Sequence, residues 1–291
     1  MKYPRILAAL RSARWAVTPP TIQAIADTLG AHLRGSLGAA PRALMPDRMP
    51  SDADAKTAQA NEAEAAGGVA VIEVYGVIGR HLSSMEMECG GCDVEAVGKA
   101  IEAAIANPAV RAIVLDIDSP GGVVTGVPEL SAKIKEADAV KPCFAFTGGQ
   151  CCSAAYWIAC GCRGIFATKT ADLGSIGVYV ALCDDSEWWA KQGYKLELIK
   201  AGEYKAAGIS GKPLSDKERA MIQADVDAIY AMFTGDVRAA RDGVSTEAMQ
   251  GQTFMGENAV AVNLADEIVP CLDDVLMAVA GQVAVDTFRN N

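Results

Sequence analysis

From residue 69 onward, apolar residues fall in short blocks whose period switches between two and about three and a half. Residues 69–75 (VAVIEVY) are β-branched and apolar and end at Gly76, which predicts a strand. Asp93 is placed to cap a helix that runs to Asn107 and stops at Pro108. A buried strand is predicted over residues 112–117, a helix over about 128–137 and a third strand over 142–146. Ser153 then opens an apolar helix ending near Cys160. Further strands are predicted over 164–167, 176–182 and 195–199, with a helix over 184–192 between the last two. A long amphipathic helix starts near Ser215, where Glu218 completes a capping box, and continues to about Arg241. Strands alternating with helices predict an α/β fold built of right-handed βαβ units on an open, largely parallel sheet.

The first part of the chain has a different texture. Residues 1–34 are expected to be helical, with an amphipathic run opening at Thr21 after Pro19-Pro20. Residues 35–68 are rich in Ala, Pro, Asp and Gly and predict a linker or mobile arm. Residues 69–291 form the main domain.

Charge and composition narrow the functions available. Of 291 residues, 51% are hydrophobic and 21% charged, enough apolar material for a large core. A net charge of −10 argues against nucleic acid as principal ligand, since phosphate binding needs a basic face. No apolar run reaches membrane-spanning length, and residues 1–17 read poorly as a secretory signal, so a cytoplasmic location without a membrane anchor is expected. The nine cysteines are scattered through apolar segments and read as buried small hydrophobes. A zinc reading of Cys89, Cys92, Cys160 and Cys162 is weak, because the second pair has one intervening residue.

The candidate chemistry centres on Ser153, which sits between Gly148-Gly149 and the apolar helix. At such a position its own N–H and that of Ala154 would point toward whatever the hydroxyl attacks. His32 and His81 both lie outside this segment, so a lysine is the expected base. Spacing alone leaves Lys169, Lys195, Lys200, Lys205 and Lys212 as candidates. Two glycines after a strand end, Gly121-Gly122, suit a backbone donor that approaches a developing oxyanion.

Four segments in order carry a family pattern: Asp118-Ser119-Pro120-Gly121-Gly122, Cys152-Ser153-Ala154-Ala155-Tyr156, Gly174-Ser175-Ile176-Gly177-Val178 and the run from Ala201 to Gly208. Together they resemble the S49 serine peptidases, over about residues 69–269. The resemblance implies a ClpP/crotonase-like fold and a Ser–Lys dyad needing no metal or cofactor. It implies Ser153 as nucleophile, Lys205 as general base, Ser175 as the residue that orients the lysine, and the N–H groups of Gly122 and Ala154 as oxyanion hole. It also implies a polypeptide substrate and a homo-oligomer. The phage branch is favoured, with capsid, portal or scaffold proteins as substrates in the host cytoplasm or assembling capsid. Peptide degradation of the signal-peptide-peptidase type, a non-catalytic assembly subunit and acyl-CoA chemistry are the alternatives.

Overall fold

In the computed structural model of the chain, residues 15–17 and 68–290 are described. They divide into two compact units: residue 15 with residues 178–232, and residues 16–17 and 68–177 with residues 233–290. Of the first 34 residues, expected to be helical, the described ones form a short strand, β1 (Trp15–Val17). The rest of that segment and the arm at 35–67 lie outside the described residues.

The larger unit is built on five strands: β2 (Val69–Tyr75), β5 (Ala112–Asp118), β7 (Cys143–Thr147), β9 (Gly164–Ala167) and β12 (Glu267–Ile268). They are parallel throughout and ordered β12-β9-β7-β5-β2. Val69, Ala112, Val114 and Phe146 pack under helix α8 (Leu272–Asn290) through Val275 and Val279. The alternate residues Ile113, Leu115 and Ile117 are buried on the other face, as period-two patterning demands. Helix α2 (Val94–Ala106) packs on β2 and α3 (Val127–Asp138) on β7, and α3 also packs against α2 and α4 (Ala154–Ala159). Asp93 caps α2 by accepting from Glu95 N at 2.8 Å, so the predicted start is the observed one.

Four of these strands continue, after a short bend, into a second tier. β2 leads over Gly76 into β3 (Val77–Gly79), and β5 over Ser119-Pro120 into β6 (Gly121–Val123). β7 leads over Gly148-Gly149 into β8 (Gln150–Cys152), and β9 into β10 (Asp172–Gly174). β3 pairs in parallel with β6 and with β4 (Gly91–Asp93), and β10 with β8 and, antiparallel, with β11 (Thr253–Met255). Gly76 shows why one bend needs glycine: its φ is +84°, and a Cβ there would lie 2.1 Å from Gly90 O.

The smaller unit departs from expectation. Residues 176–182 and 195–199 are not strands; the strand nearest the first is β10, which ends at Gly174. Their apolar, β-branched content reads as strand, but a strand needs a run of paired residues, and within 176–182 only Tyr179 forms a bridge. Along 194–200 no ladder forms, and Ile199 is 93% exposed. What orders this unit is Asp185, ahead of helix α5 (Ser186–Lys191). Its carboxylate accepts from Gly211 N at 2.6 Å, from Trp189 Nε1 at 3.2 Å and from Ser210 Oγ.

Helix α6 (Asp216–Ala240) opens with the predicted capping box. Ser215 Oγ accepts from Glu218 N at 3.3 Å, and Glu218 Oε2 accepts from Ser215 N at 2.9 Å. Lys212 Nζ adds a bond at 2.7 Å. The Lys212 hydrogen bond first, then those of Ser215, pull the Glu218 carboxyl down to about 2. Because the folded value is depressed, the stability it contributes is present above the ordinary value of 4.5 and lost as pH falls toward about 2. Urea unfolding should therefore show stability falling across that window, with a flatter profile in Glu218→Gln. Ser215→Ala should cost about 1 kcal/mol at neutral pH.

Candidate active site

Ser153 stands where β8 meets α4, in a backbone conformation few residues adopt: φ is +57° and ψ −116°. A non-glycine residue there costs on the order of 1–3 kcal/mol unless its surroundings hold it. Two bonds hold it. Ser153 N donates to Gly174 O at 2.7 Å, and Ser153 O accepts from Trp157 N at 2.9 Å. This sharp strand-to-helix turn is the geometry that lifts a nucleophile off a sheet. Unlike most serines ahead of an apolar helix, Ser153 makes no side-chain cap bond, so its hydroxyl is not spent on the helix. The residue is 1% exposed.

The bond to Gly174 corrects one expectation. The N–H of Ser153 is consumed by Gly174 O and does not face a substrate; Ala154 N–H is the first donor left at that end of α4.

Helix α4 is anchored on every side, and all its residues are buried. Tyr156 Oη donates to Leu264 O at 2.9 Å, and Trp157 Nε1 to Asp236 Oδ2 at 2.7 Å. Trp157 stacks on Phe233 with ring centroids 4.4 Å apart, and Ser131 Oγ donates to Trp157 O at 2.8 Å. At its far end Gly161 admits α3: a Cβ there would sit 2.5 Å from Ser131 O.

Gly122 is joined to this turn through Ser119. Ser119 N donates to Gln150 O at 2.7 Å and Ser119 O accepts from Cys152 N at 3.1 Å, binding the β5–β6 bend to β8. Ser119 Oγ donates to Gly76 O at 2.6 Å and accepts from Gly121 N at 3.2 Å. Gly122 pairs with Ile78, and a Cβ on it would lie 2.0 Å from Ile78 O. Helix α4 packs directly on β6. Ser175 follows Gly174, is buried with φ +51°, and donates its N–H to Gln252 O at 2.8 Å.

The larger unit thus gathers Ser153, Ala154, Gly122 and Ser175. Lys205 belongs to the smaller unit, exposed in a turn at 203–208, with no ion pair among the described residues. Lys205 is therefore not buried within its own unit. Its rivals are differently placed. Lys212 and Lys200 face Glu218 at 2.7 and 3.9 Å, and Lys169 faces Glu257 at 3.8 Å. The organising roles of Gly174, Ser119 and Gln252 escaped sequence reasoning, because their partners are set by where distant segments meet in space. The nearest signal in the sequence was that residue 174 is a glycine, the residue type its φ of +107° favours.

Burial keeps the thiols beside Ser153 in the protonated form. Burial pushes Cys152 and Cys160 up to about 12, and raises Cys151 and Cys162 well above the ordinary thiol value. Burial likewise takes Cys92 and Cys143 to about 12, whereas Cys89, Cys183 and Cys271 are exposed.

A family model described as Peptidase family S49 matches residues 135–286, more than half of the chain, and the chain belongs to that family. It is 30% identical to the head-tail preconnector protein GP5 of Enterobacteria phage P21, over 84% of this chain and 52% of that protein. It is 30% identical to the capsid assembly protease C of Escherichia phage lambda, over 75% of this chain and 50% of that one. A putative signal peptide peptidase SppA of Enterococcus faecium is 30% identical over 56% of this chain and 48% of its own. The chain spans about half the length of these curated relatives. Among solved structures, a ClpP1 mutant from Listeria monocytogenes superposes with a TM-score of 0.45 at 13% identity, covering 75% of this chain and 96% of that one.

Iodoacetamide applied to the folded chain at about pH 8 should alkylate only the three exposed cysteines, because the thiolate is the reacting form. Peptide mapping checks this; modification of Cys151 or Cys152 in folded protein would contradict the buried-thiol description.

Proposed function

We propose that the chain is a serine endopeptidase in which Ser153 is the nucleophile and Lys205 the general base. The observation that carries this reading is the Ser153 turn: a strained, positive-φ serine, free of any cap bond, ahead of a helix locked in the core. The lysine takes the hydroxyl proton as Ser153 attacks the scissile carbonyl. The developing oxyanion is received by the N–H groups of Ala154 and Gly122. The amine then protonates the leaving group and later activates water for deacylation. Ser175, one residue beyond the carbonyl that fixes Ser153, holds the amine in line.

A lysine amine accepts a proton only when uncharged, which apolar surroundings favour and a facing carboxylate opposes. That disfavours Lys200 and Lys212 beside Glu218. It also requires the exposed Lys205 turn to be covered in the working assembly. The same unit exposes the large apolar side chains of Trp188, Tyr194, Leu196, Ile199 and Tyr204, which supports a homo-oligomer closing over it. The names of the phage relatives support capsid, portal or scaffold proteins as substrates, in the cytoplasm of a host cell or within an assembling capsid. Among the described residues no helix is long and apolar enough to cross a membrane.

The test is mass spectrometry of a denatured-protein digest by the parent chain, Ser153→Ala and Lys205→Ala. Cleavage should fall by about 10³-fold or more in each variant; equal cleavage by all three would reject both residues. Ile199→Asp should shift the sedimenting species toward monomer with loss of cleavage, and an unchanged sedimentation profile would remove the covering role of this surface.

A further inference from the structure

Strand β6, which carries Gly122, has two neighbours. On one side is β3; on the other is β1, Trp15–Val17, more than a hundred residues away in sequence. Ala16 and Val17 belong to the same compact unit as β6. Without β1 the outer edge of β6 would present a row of unpaired backbone N–H and C=O groups, and such an edge accepts an extended peptide by strand addition. This particular edge is tied to the candidate site from two directions. Ser119, one turn before β6, holds Cys152 beside Ser153, and α4 packs on β6 itself.

The sequence of β1 fits a guest better than a structural member of the sheet. Trp15-Ala16-Val17 is a short apolar stretch with a small central residue, and Thr18 is followed by Pro19-Pro20. Prolines have no N–H to donate, so two in succession disfavour a longer strand in this part of the sequence. A pairing this short contributes few hydrogen bonds, and it is replaceable by any extended segment that offers the same backbone groups.

We infer that β1 is a resident peptide ligand: residues 15–17 occupy the strand edge on which the peptidase proposed above takes its substrate, so the chain competes with its own substrate. The inference rests on that reading for the identity of the edge. The substrate class it names is an extended peptide of small and apolar side chains, of which Trp15-Ala16-Val17 is the built-in example. An incoming chain must displace β1 before its carbonyl can reach Gly122 and Ser153. The apparent affinity for substrate is then reduced by the fraction of molecules with the edge vacant.

The experiment uses the full chain carrying Ala16→Pro together with Val17→Pro. Adjacent residues of a strand aim their amides to opposite sides, so the pair removes whichever one faces β6. If the edge is vacant about a tenth of the time in the parent, KM for an unfolded-protein substrate should fall about tenfold with kcat unchanged. A synthetic peptide of residues 11–20 should restore the parent KM competitively. Ala16→Gly with Val17→Gly, which keeps both amides and loosens the strand, should move KM the same way by less. An unchanged or higher KM in a folded proline variant would overturn the inference while leaving the peptidase reading intact. Binding of the fluorescent 11–20 peptide is measured separately in a Ser153→Ala background. Binding to the proline variant and not to its parent, with no chain cleaving anything, would uphold the resident strand and reject the peptidase. No binding to either would reject the resident strand.

Discussion

The backbone of Ser153 is the constraint from which the rest of the larger unit follows. A side-chain-bearing residue at φ +57° cannot hold itself there. Gly174 O must stand in front of its N–H, and α4 must be fixed behind its carbonyl. The first demand explains why β10 lies parallel to β8 and ends in a left-handed glycine. The second explains the investment in α4: a stacked Trp157, a buried Tyr156 bonded to Leu264, and a Gly161 that lets α3 close in. Arg241 extends the same support, bonding Asn263 O at 3.1 Å and Asp266 Oδ2 at 2.7 Å, while Asp266 also receives Ile165 N. Strain at one residue is offset by a core assembled around it.

Gathering the other donors is a consequence of bending the strands. Each of four parallel strands turns after its carboxyl end and runs on into a second tier, so that residues far apart in sequence meet at the bends. Ser119 joins three of them, since it bonds Gly76, Gly121, Gln150 and Cys152. That single buried serine couples the Gly122 strand to the Ser153 turn. The smaller unit is built on the opposite plan. It relies on one carboxylate, Asp185, and a capping box, and it leaves large apolar side chains in water. A surface of that kind suits association, and the proposed assembly would have to cover the lysine turn as well.

The parallel sheet was legible from residues 69 to 167 because its strands are mainly buried, β-branched apolar runs and the helices between them have local boundary signals. Asp93, Pro108, Ser215 and Glu218 marked helix ends by chemistry that is local in sequence. Legibility failed where structure depends on a partner. Residues 176–182 and 195–199 have strand composition but build no ladder beyond a single bridge at Tyr179, whereas Trp15–Val17 has an edge its own neighbourhood in sequence gives no hint of. Of the site, the residue types that stand out by motif were readable. The spent N–H of Ser153 was not, because it depends on where Gly174 arrives in space.

The most direct measurement is intact-mass and peptide-mapping analysis after reaction with a peptidyl phosphonofluoridate, which bonds only to a serine made nucleophilic by a nearby base. A single phosphonyl adduct on Ser153, lost when Lys205 is replaced by alanine, is the result predicted by a strained serine served by that lysine. An adduct on another residue, or a Ser153 adduct indifferent to Lys205, would contradict it.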